Sequence, residues 1–540
     1  MRAIRHALLI ALCLIPDLLS AETTQQIQIP MSDGTQLSAS LFTPDQGQAP
    51  FPVILERTPY PLAASGNGWT EQGMVFVDQN VRGRYKSEGD YHPFADEGWG
   101  THQDGLDTVQ WILKQPWCNG KIATVGGSAP GLTQALLSPM TPALSCQVIE
   151  VACGDFARFT AYQGGVFGKS LCEDWLKAVG VPEYANIWKT QIPGSPYWKN
   201  YNADDRAADI HAPALHVGGW WDIFASGTIE HFLRRQFQGG DGAKGNQKLI
   251  MRPAAHGPWG AQDLKFPENF EAFHVTPYRN RFVQHWVLGT DNGIMKEPAV
   301  NYYTVGDDTH FEGPGWEWRT ADTWPPFPTT ATPYYLHPDG QLSTAAPNEK
   351  DAHRVFDYDP KNPVPTLGGE NLSIAYGPYD QRPVSSRPDV LNFTTPPLTA
   401  PLETTGNFTV ELYVSTDAPD TDFTAKVVDI YPAPESREIL MLDNIVRAKY
   451  RDGAEHPAAP LNPGEIVRLR IDLGPISWIF NTNHKIGLQL SSSNFPRFEI
   501  NPNNGQEFPT QTPPSRTAHN TVHMSTHQTS ALLLPIKKKD

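Results

Sequence analysis

The fold prediction rests on residues 121–137, which read KIATVGGSAPGLTQALL. The apolar run up to Val125, the two glycines and the apolar spacing after them are typical of a buried strand, a tight turn and a helix. Ser128 occupies the apex of that turn, where a strained backbone lifts a serine hydroxyl above the sheet and aims the next N–H, from Ala129, at a developing oxyanion. The usual pattern has glycine two residues after the serine, where this chain has Pro130, so a plain glycine-rich turn is the alternative.

Short apolar runs before and after this stretch predict further strands that are buried on both faces. These runs are 53–55, 74–77, 122–125, 214–217 and 249–251. Helical patterns lie between them, for example with Leu106, Val109 and Ile112 on one face. Ahead of the first run, alternating residues around the turn at 32–34 predict a β-hairpin. The succession of strands and helices predicts a mostly parallel α/β sheet.

Two regions depart from this alternation of strands and helices. Residues 141–211 are rich in aromatic residues, Gly and Pro and lie between two sheet strands, which predicts an inserted helical cap. Beyond about residue 315 the helical period disappears and apolar residues alternate strictly with polar ones, which predicts an antiparallel sandwich. We therefore expect a signal peptide at 1–21, an α/β domain at 22–140 and 212–315, the cap at 141–211 and a C-terminal β-sandwich at 316–540.

The composition argues against several classes of function. The 540 residues include 42 Lys and Arg against 58 Asp and Glu, a formal charge of −16, so a nucleic-acid backbone would be repelled. Because there are only five Cys, and no Cys-x-x-Cys or His-x-x-x-His spacing, we expect no metal and no cofactor. Cys118, Cys146, Cys153 and Cys172 could form one or two disulfides in an oxidising compartment, with the pairing left open.

The N-terminus has the features of an export signal. Basic residues precede an apolar run at 7–16, and the Leu-Leu-Ser-Ala stretch at 18–21 offers a cleavage site. Pro16 and Asp17 interrupt the run before it reaches the ~20 residues that a membrane span needs. We expect a periplasmic or secreted protein without a membrane span. A short core helix and a lipoprotein acylated at Cys13 are the alternatives.

Two further residues complete a candidate catalytic set with Ser128. Asp222 and His256 follow the apolar runs at 214–217 and 249–251, and open α/β sheets place their sites at the carboxyl ends of such strands. A serine hydroxyl needs an imidazole to take its proton, and the imidazole needs a carboxylate to hold its tautomer. Each residue alone would be a surface or core group, but the order Ser, Asp, His after three buried strands is that of the α/β-hydrolases.

With these motifs in place, the sequence resembles the cocaine esterase and glutaryl acylase branch of the X-Pro dipeptidyl-peptidase-like (CocE/NonD) serine hydrolases. The similarity spans nearly the whole mature chain. It rests on RTPY at 57–60, RGRYKSEG at 82–89, GGS at 126–128, GWWD at 219–222, HGPW at 256–259, DAPDTDF at 417–423, PGE at 463–465 and SSSNFPRF at 491–498. The resemblance supports an α/β-hydrolase fold with an inserted helical cap and a C-terminal jelly-roll β-sandwich.

The resemblance also implies an activity: hydrolysis of a small-molecule ester or amide through an acyl-enzyme on the candidate serine. It implies that the hydroxyl of Tyr60, after the first parallel strand, is a second oxyanion donor beside the N–H of Ala129. An aromatic ring packed on the neighbouring prolines is the alternative for Tyr60. Ala129 stands where the family usually has Tyr, which predicts a wider acyl pocket, and Asn80 stands where it usually has Asp.

Aromatic residues near the motifs are candidates for the substrate pocket, although any single one is more often a core residue. They are Trp69, Trp175, Trp220, Trp221 and Trp259. Glu173 and Asp174 on the predicted cap could bind a cationic amine. Two alternative functions remain open: an Xaa-Pro dipeptidyl peptidase, which would need such carboxylates, and a non-catalytic carbohydrate-binding protein with a decayed site. The sequence does not determine the oligomeric state or the acyl and leaving groups.

Overall fold

A computed structural model describes residues 22–257, 262–506 and 514–538, which form 23 strands and seven α-helices. The predicted signal peptide and Trp259 lie outside the described residues. The strands of the N-terminal part are β1 (Thr23–Pro30), β2 (Gln36–Thr43), β3 (Phe51–Thr58), β4 (Val75–Asn80), β5 (Cys118–Thr124), β6 (Leu144–Glu150), β7 (Tyr162–Gln163), β8 (Val166–Phe167), β9 (Ala214–Trp221), β10 (Gln247–Ala255), β11 (Val300–Thr304) and β12 (Glu317–Ala321). Those of the C-terminal part are β13 (Thr329–Leu336), β14 (Leu342–Ser343), β15 (His353–Tyr358), β16 (Leu391–Thr394), β17 (Leu402–Thr416), β18 (Asp422–Ile430), β19 (Glu438–Arg447), β20 (Val467–Phe480), β21 (Lys485–Ser491), β22 (Ala518–His523) and β23 (Ala531–Lys537). The helices are α1 (Asp104–Leu113), α2 (Ala129–Leu137), α3 (Lys169–Ala178), α4 (Tyr184–Thr190), α5 (Ala225–Gln238), α6 (Val275–Val283) and α7 (Arg382–Ser385).

Ten strands form one mixed sheet in the order β1-β2-β4-β3-β5-β6-β9-β10-β11-β12. The seven neighbours from β4 to β11 run parallel, whereas β1, β2 and β12 are antiparallel to their neighbours. All eight residues of β9 are buried, because other elements cover both faces of the sheet centre. The expected α/β-hydrolase fold is confirmed, and the carboxyl ends of β3, β5, β9 and β10 lie at one edge of this sheet.

Two domain boundaries differ from the sequence prediction. Strand β6 falls within the range assigned to the cap, yet it pairs in parallel with β5 and β9 at the centre of the sheet, so the cap begins after Glu150. Strand β12 lies beyond the expected boundary at 315, yet it pairs with β11, so the α/β sheet extends to Ala321. Neither strand has the continuous apolar run that marks the predicted parallel strands, because β6 contains Ser145, Gln147 and Glu150 and β12 is largely exposed or half-buried.

The cap contains helices α3 and α4, the small β7–β8 hairpin and several single helical turns. Its centre is built from buried aromatic rings, with the ring centroids of Phe156 and Trp188 5.2 Å apart and those of Trp198 and Tyr201 5.4 Å apart. Aromatic residues pack well with few neighbours because each ring buries a large apolar area. Most of the aromatic content of this region therefore forms the core of the cap.

The C-terminal domain is an antiparallel sandwich. Strands β13, β14, β15, β17, β20, β22 and β23 form one sheet, and β16, β18, β19 and β21 form the other. Apolar residues of both sheets join the end of β9 in a single core, in which Trp220, Trp221 and Trp478 are all buried. The sandwich is thus packed tightly against the α/β domain.

Two further structural expectations concern the cysteines and the membrane. In the described part of the chain, Cys118, Cys146, Cys153 and Cys172 are free thiols, so the disulfides that the sequence allowed are not formed in this structure. Burial raises the pKa of the thiols of Cys146 and Cys172. Among the same described residues, no helix has the length and apolar character required to cross a bilayer.

Candidate active site

Ser128 stands between β5 and α2 with a left-handed backbone conformation, φ 61° and ψ −123°. Non-glycine residues avoid this region, so such a conformation persists only where neighbouring bonds hold it. The Ser128 N–H donates to the carbonyl of Glu150 at 2.9 Å, and the Ser128 carbonyl accepts from the N–H groups of Gly131 and Leu132, each at 2.9 Å. The turn thus projects the hydroxyl above the carboxyl edge of the sheet.

The proline that departs from the usual turn pattern is accommodated by glycines on either side. Pro130 occupies the first turn of α2, where a missing N–H leaves no helical bond unmade. A Cβ atom on Gly126 would approach the Cβ of Pro130 to 2.5 Å, and a Cβ on Gly131 would approach the Cβ of Ala152 to 2.6 Å. Because neither glycine has a side chain, the turn with Ser128 and Pro130 can pack closely against the end of the strand and the start of α2.

The structure brings Ser128, His256 and Asp222 into one hydrogen-bonded chain. His256 Nε2 lies 3.0 Å from Ser128 Oγ, and His256 Nδ1 lies 2.7 Å from Asp222 Oδ2. Because a carboxylate can only accept, Nδ1 carries the proton and Nε2 is left to accept the serine proton. Asp222 Oδ1 accepts the backbone N–H of Phe224 at 2.8 Å, which fixes the carboxylate at the start of α5. This is the order of groups that activates a serine for nucleophilic attack.

The environment of His256 suits a base that works near neutral pH. Burial lowers the pKa of His256, but the negative charge of Asp222 and its hydrogen bond outweigh burial, so the net pKa lies above the usual 6.5. Asp222 is fully buried and the His256 side chain is 9% exposed. A buried carboxylate beside the imidazole also stabilises the imidazolium that forms when the serine proton is transferred.

Tyr60 lies in the loop after β3, where its hydroxyl interacts with the side chain of Ser128. That hydroxyl also accepts the indole N–H of Trp175 at 2.9 Å. The side-chain amide of Asn80 donates to the Tyr60 carbonyl at 2.7 Å, so the Asn at this position fixes the loop by a bond that an ionised Asp could not donate. Ala129 is the first residue of α2, so its N–H has no acceptor within the helix, and the residue lines the pocket beside Ser128.

A pocket lies beside the serine hydroxyl, and its volume is about 340 Å³ when the open space at its entrance is included. None of the described side chains that line it is charged. The lining residues are Phe94, Ser128, Ala129, Leu132, Phe156, Thr160, Leu171, Cys172, Trp175, Trp188, Ile223, Phe224 and Leu372. The ring of Phe224 also packs edge-on against the imidazole of His256, with the ring centroids 5.7 Å apart. The site therefore combines a hydrogen-bonded Ser–His–Asp chain and the Tyr60 hydroxyl with an adjacent apolar cavity.

Most of this chain matches a known protein family and known relatives. The model of the X-Pro dipeptidyl-peptidase (S15 family) matches residues 33–186 and 177–258, and that of the X-Pro dipeptidyl-peptidase C-terminal non-catalytic domain matches 292–533. Cocaine esterase from Rhodococcus sp. (strain MB1 Bresler) is 30% identical, with 95% of this chain and 98% of the relative covered. The chain belongs to the CocE/NonD branch of the X-Pro dipeptidyl-peptidase family of serine hydrolases.

Solved structures of similar fold cover almost the whole of this serine hydrolase. An aminopeptidase from a marine sediment Thaumarchaeota archaeon has a TM-score of 0.79 at 23% identity, with 96% of both chains covered. An α-amino acid ester hydrolase has a TM-score of 0.77 at 24% identity, with 97% of this chain and 100% of the other covered. A CocE/NonD family hydrolase from Staphylococcus aureus has a TM-score of 0.74 at 17% identity, covering 95% and 93%. These structures establish a shared fold.

Only one of the tryptophans predicted to line the pocket of this serine hydrolase does so among the described residues, and that is Trp175. Trp220 and Trp221 are buried against the sandwich, where their indole N–H groups donate to the carbonyls of Tyr303 and Met441 at 2.8 and 3.1 Å. Trp69 is also buried, beneath the guanidinium of an arginine from α6. The assignment of Trp69, Trp220 and Trp221 to the pocket is wrong because packed elements cover them, and Trp259 lies outside the described residues.

The two cap carboxylates considered for a cationic amine are engaged elsewhere. Glu173 forms ion pairs with Lys169 and Lys189. Asp174 accepts a hydrogen bond from Ser373 of the C-terminal domain. Neither residue lines the pocket of the serine hydrolase, so neither is placed to bind an amine there.

Several pocket residues were not identified from the sequence. Ile223 and Phe224 directly follow the candidate Asp222, so their position in the chain was a usable signal. Leu372 comes from the C-terminal domain, in a loop closed by reciprocal backbone bonds between Gly369 and Gly377 of 2.8 and 2.9 Å. No local pattern connects such a loop with a site on another domain.

Proposed function

We propose that this serine hydrolase is an exported esterase that acts on small-molecule esters with uncharged, apolar acyl groups, through an acyl-enzyme on Ser128. The observation that carries the proposal is the continuous chain from Asp222 through His256 to Ser128 beside a pocket whose described lining residues are all uncharged. Esters of this kind match both the reactive group and the cavity.

In the acylation step, Ser128 Oγ forms a bond to the ester carbonyl carbon while its proton passes to His256 Nε2. The carbonyl oxygen becomes an oxyanion, which the Tyr60 hydroxyl and the Ala129 N–H stabilise by hydrogen bonds. The carbon–oxygen bond to the alcohol then breaks, and His256 gives its proton to the departing alkoxide. The product of this step is an acyl group esterified to Ser128.

Deacylation repeats the same chemistry with water as the nucleophile. His256 Nε2 takes a proton from water as the water oxygen attacks the acyl carbon, and the same two donors stabilise the second oxyanion. When this intermediate collapses, the bond to Ser128 Oγ breaks and His256 returns the proton to the serine. The carboxylate of Asp222 stabilises the cationic imidazole in each half of the cycle.

The lining of the pocket favours an esterase over the peptidase alternative. An Xaa-Pro dipeptidyl peptidase binds a charged peptide amino terminus, which requires a nearby carboxylate or other anion. The acyl pocket instead presents apolar side chains such as Ile223, Phe224 and Leu372, and the cap carboxylates Glu173 and Asp174 are bonded elsewhere. An ionised amine in this cavity would lose its hydration without gaining a partner.

A substrate panel tests the assignment. We expect kcat/KM to be highest for aryl and alkyl esters of benzoic, phenylacetic and medium-chain acids, lower for the matching amides and β-lactam side-chain amides, and lowest for Xaa-Pro anilides with a free amino terminus. The matched comparison is one ester with and without an α-amino group. A higher kcat/KM for the amino ester or for the Xaa-Pro anilide would reject an uncharged acyl group as the substrate class.

Export is the second part of the proposal and is supported by the basic and apolar N-terminal sequence. Expression of the full chain followed by cell fractionation is expected to place the enzyme in the periplasm or medium, with a mature N-terminus close to residue 22. Full-length enzyme retained in the cytoplasm with residues 1–21 intact would contradict it.

A further inference from the structure

The indole of Trp175 is bonded to the proposed oxyanion donor. Its Nε1–H donates to the Tyr60 hydroxyl oxygen at 2.9 Å, and that hydroxyl also contacts Ser128. An indole N–H can only donate, whereas a phenol both donates one proton and accepts. The Tyr60 oxygen must therefore accept on the side of Trp175, which leaves its own proton for the side where Ser128 lies.

We propose that Trp175 is a positioning residue for catalysis: its indole N–H holds the Tyr60 hydroxyl proton in the direction of the oxyanion. The proposal rests on the proposed function, because it presupposes that Tyr60 donates to the oxyanion. It adds to that function a role for the cap, since Trp175 belongs to α3 whereas Tyr60 belongs to the α/β domain. The oxyanion site is then complete only when the cap is seated.

The structure holds the indole rigidly in this place. Its ring stacks on Phe94 with the centroids 5.1 Å apart and the planes inclined by 14°. The two residues before it anchor the same turn of α3, because Glu173 pairs with Lys169 and Lys189 and Asp174 accepts from Ser373. A donor that is fixed before the reaction loses no freedom when the oxyanion forms, which is the basis of electrostatic preorganisation.

The other end of the bond is fixed as well. The Tyr60 carbonyl accepts from the Asn80 amide at 2.7 Å, and the Tyr60 N–H donates to Thr58 Oγ1 at 3.1 Å. Arg84 donates to the carbonyl of Pro59 at 3.0 Å, next to the tyrosine. With both the phenol and the indole held, the hydrogen bond between them sets the direction of the phenol proton.

Electrostatics support the same arrangement. Burial raises the pKa of Tyr60, so the hydroxyl stays protonated, while its interactions with Trp175 and Ser128 lower the pKa by a smaller amount. A hydrogen bond accepted by a hydroxyl oxygen strengthens the bond that the hydroxyl donates, because each polarises the other. The indole therefore makes the Tyr60 hydroxyl both better aimed and a stronger donor.

A double-mutant cycle tests the proposal. In the wild-type background we expect Trp175→Phe, which keeps a ring to stack on Phe94 but removes the N–H, to lower kcat roughly 2- to 13-fold, the range of one neutral hydrogen bond. In the Tyr60→Phe background the same change should leave kcat unaltered, because no phenol proton remains to be oriented. Any contribution of the indole to the shape of the pocket appears as an equal change of KM in both backgrounds.

The matched control is Trp198→Phe, which removes an indole N–H from the same cap. The Trp198 N–H donates to the carbonyl of Gln191 at 2.8 Å, within the cap itself. We expect this variant to keep the wild-type kcat. If Trp175→Phe lowers kcat by the same factor in both tyrosine backgrounds, Trp175 acts through the pocket or the stability of the cap, and the positioning role is rejected.

A second substitution covers the case in which Trp175→Phe folds poorly. Incorporation of 3-benzothienylalanine at position 175 keeps the shape of the indole and replaces the N–H by sulfur, so a kcat equal to that of wild type would also reject the role. Failure of the proposed function has a different signature: Tyr60→Phe alone is expected to lower kcat about 10²- to 10³-fold. A wild-type kcat in that variant would remove Tyr60 from the oxyanion site itself.

Discussion

Several histidines of this chain bond to an aspartate through Nδ1, and two of them, His256 and His484, differ in whether the ring is arranged as a base. His256 bonds Asp222 at 2.7 Å, and its Nε2 faces the hydroxyl of Ser128 at 3.0 Å. His484 bonds Asp429 at 2.8 Å, but its Nε2 faces a second carboxylate, Asp307, at 3.2 Å. Both rings therefore place Nδ1 against a carboxylate. They differ at Nε2, which faces a hydroxyl that can donate in His256 and a carboxylate that can only accept in His484.

The second partner decides the charge of the ring. Burial lowers the pKa of His484, but hydrogen bonds and charge from Asp307 and Asp429 outweigh burial and raise the pKa to about 9. His484 is therefore a cation at neutral pH, and it joins Asp307, just after β11 of the α/β domain, to Asp429 on β18 of the sandwich. His256 has one carboxylate and one hydroxyl, so it can lose its proton near neutral pH and accept another from serine.

An Asp–His pair alone does not identify a catalytic base. A base needs a free nitrogen that faces a proton to be abstracted and a space for substrate beyond it. The first pair lies at an open pocket, whereas His484 is buried between domains at 1% side-chain exposure. We expect substitutions at the first pair to change the rate, and those at the second to change the stability.

The largest expected effect is on turnover and concerns the nucleophile. Ser128→Ala is expected to lower kcat about 10⁶-fold, because without the hydroxyl no acyl-enzyme forms and only oxyanion stabilisation remains. Hydrolysis of an aryl ester, followed by absorbance, measures it, and circular dichroism checks that the variant is folded. Turnover within tenfold of wild type would show that His256 serves a different nucleophile.

Replacing the carboxylate partner of each histidine separates their roles. Asp222→Asn is expected to lower kcat about 10⁴-fold, because an amide that donates to Nδ1 favours the tautomer in which Nε2 cannot accept the serine proton. Asp429→Asn makes the same change at His484 and is expected to leave kcat of the folded enzyme unchanged. Equal losses of kcat in the two variants would show that the two Asp–His pairs do not differ in their roles.

Removing the cation between the domains should cost stability. His484→Gln leaves Asp307 and Asp429 facing each other without a positive charge, which is expected to lower the free energy of unfolding by about 3 to 5 kcal/mol. Urea denaturation monitored by tryptophan fluorescence measures this loss. His256→Gln is the matched variant, with abolished turnover and a much smaller change in stability. If His484→Gln were as stable as wild type, the ion pairs would not hold the domains together.

The smallest expected effect is that the free energy of unfolding and kcat depend on pH in opposite ways. The pKa of His484 is raised on folding, so its contribution to stability is complete below about pH 6.5 and is lost as the pH rises through about 9. Turnover should change in the opposite direction, since His256 must be neutral to act as a base and its pKa lies above 6.5. Unfolding free energies and kcat between pH 5 and 10 test both.

His484→Gln serves as the control for the stability profile and should lack its alkaline decline. A decline of the same size in that variant would assign it to another group. For turnover, a kcat that stays constant down to pH 4 would contradict the role of His256.

The sequence was sufficient to predict which loops contain the candidate triad, because each loop directly follows a buried parallel strand. Tyr60 entered only through the family resemblance, and its position after β3 is consistent with that expectation. The direction in which Trp220 and Trp221 face could not be predicted, since every residue of β9 is buried and no polar alternation distinguishes its two sides. The covering element, the sandwich, is distant in sequence.

Long-range contacts account for the remaining differences. His484 and Asp307 are 177 positions apart, and Leu372 reaches the pocket from a domain whose own strands show no relation to the site. The bond between Trp175 and Tyr60 spans 115 positions. Packing between domains determines these contacts, and no pattern within a single element encodes it.

Covalent labelling with a fluorophosphonate tests the central claim most directly, because the reagent traps a serine only when an adjacent imidazole activates it. Intact mass and peptide mapping should show one adduct per chain, on the peptide that contains Ser128, with labelling abolished in Ser128→Ala and slowed strongly in His256→Gln. An adduct on any other residue, or labelling of His256→Gln at the wild-type rate, would contradict the account of this site.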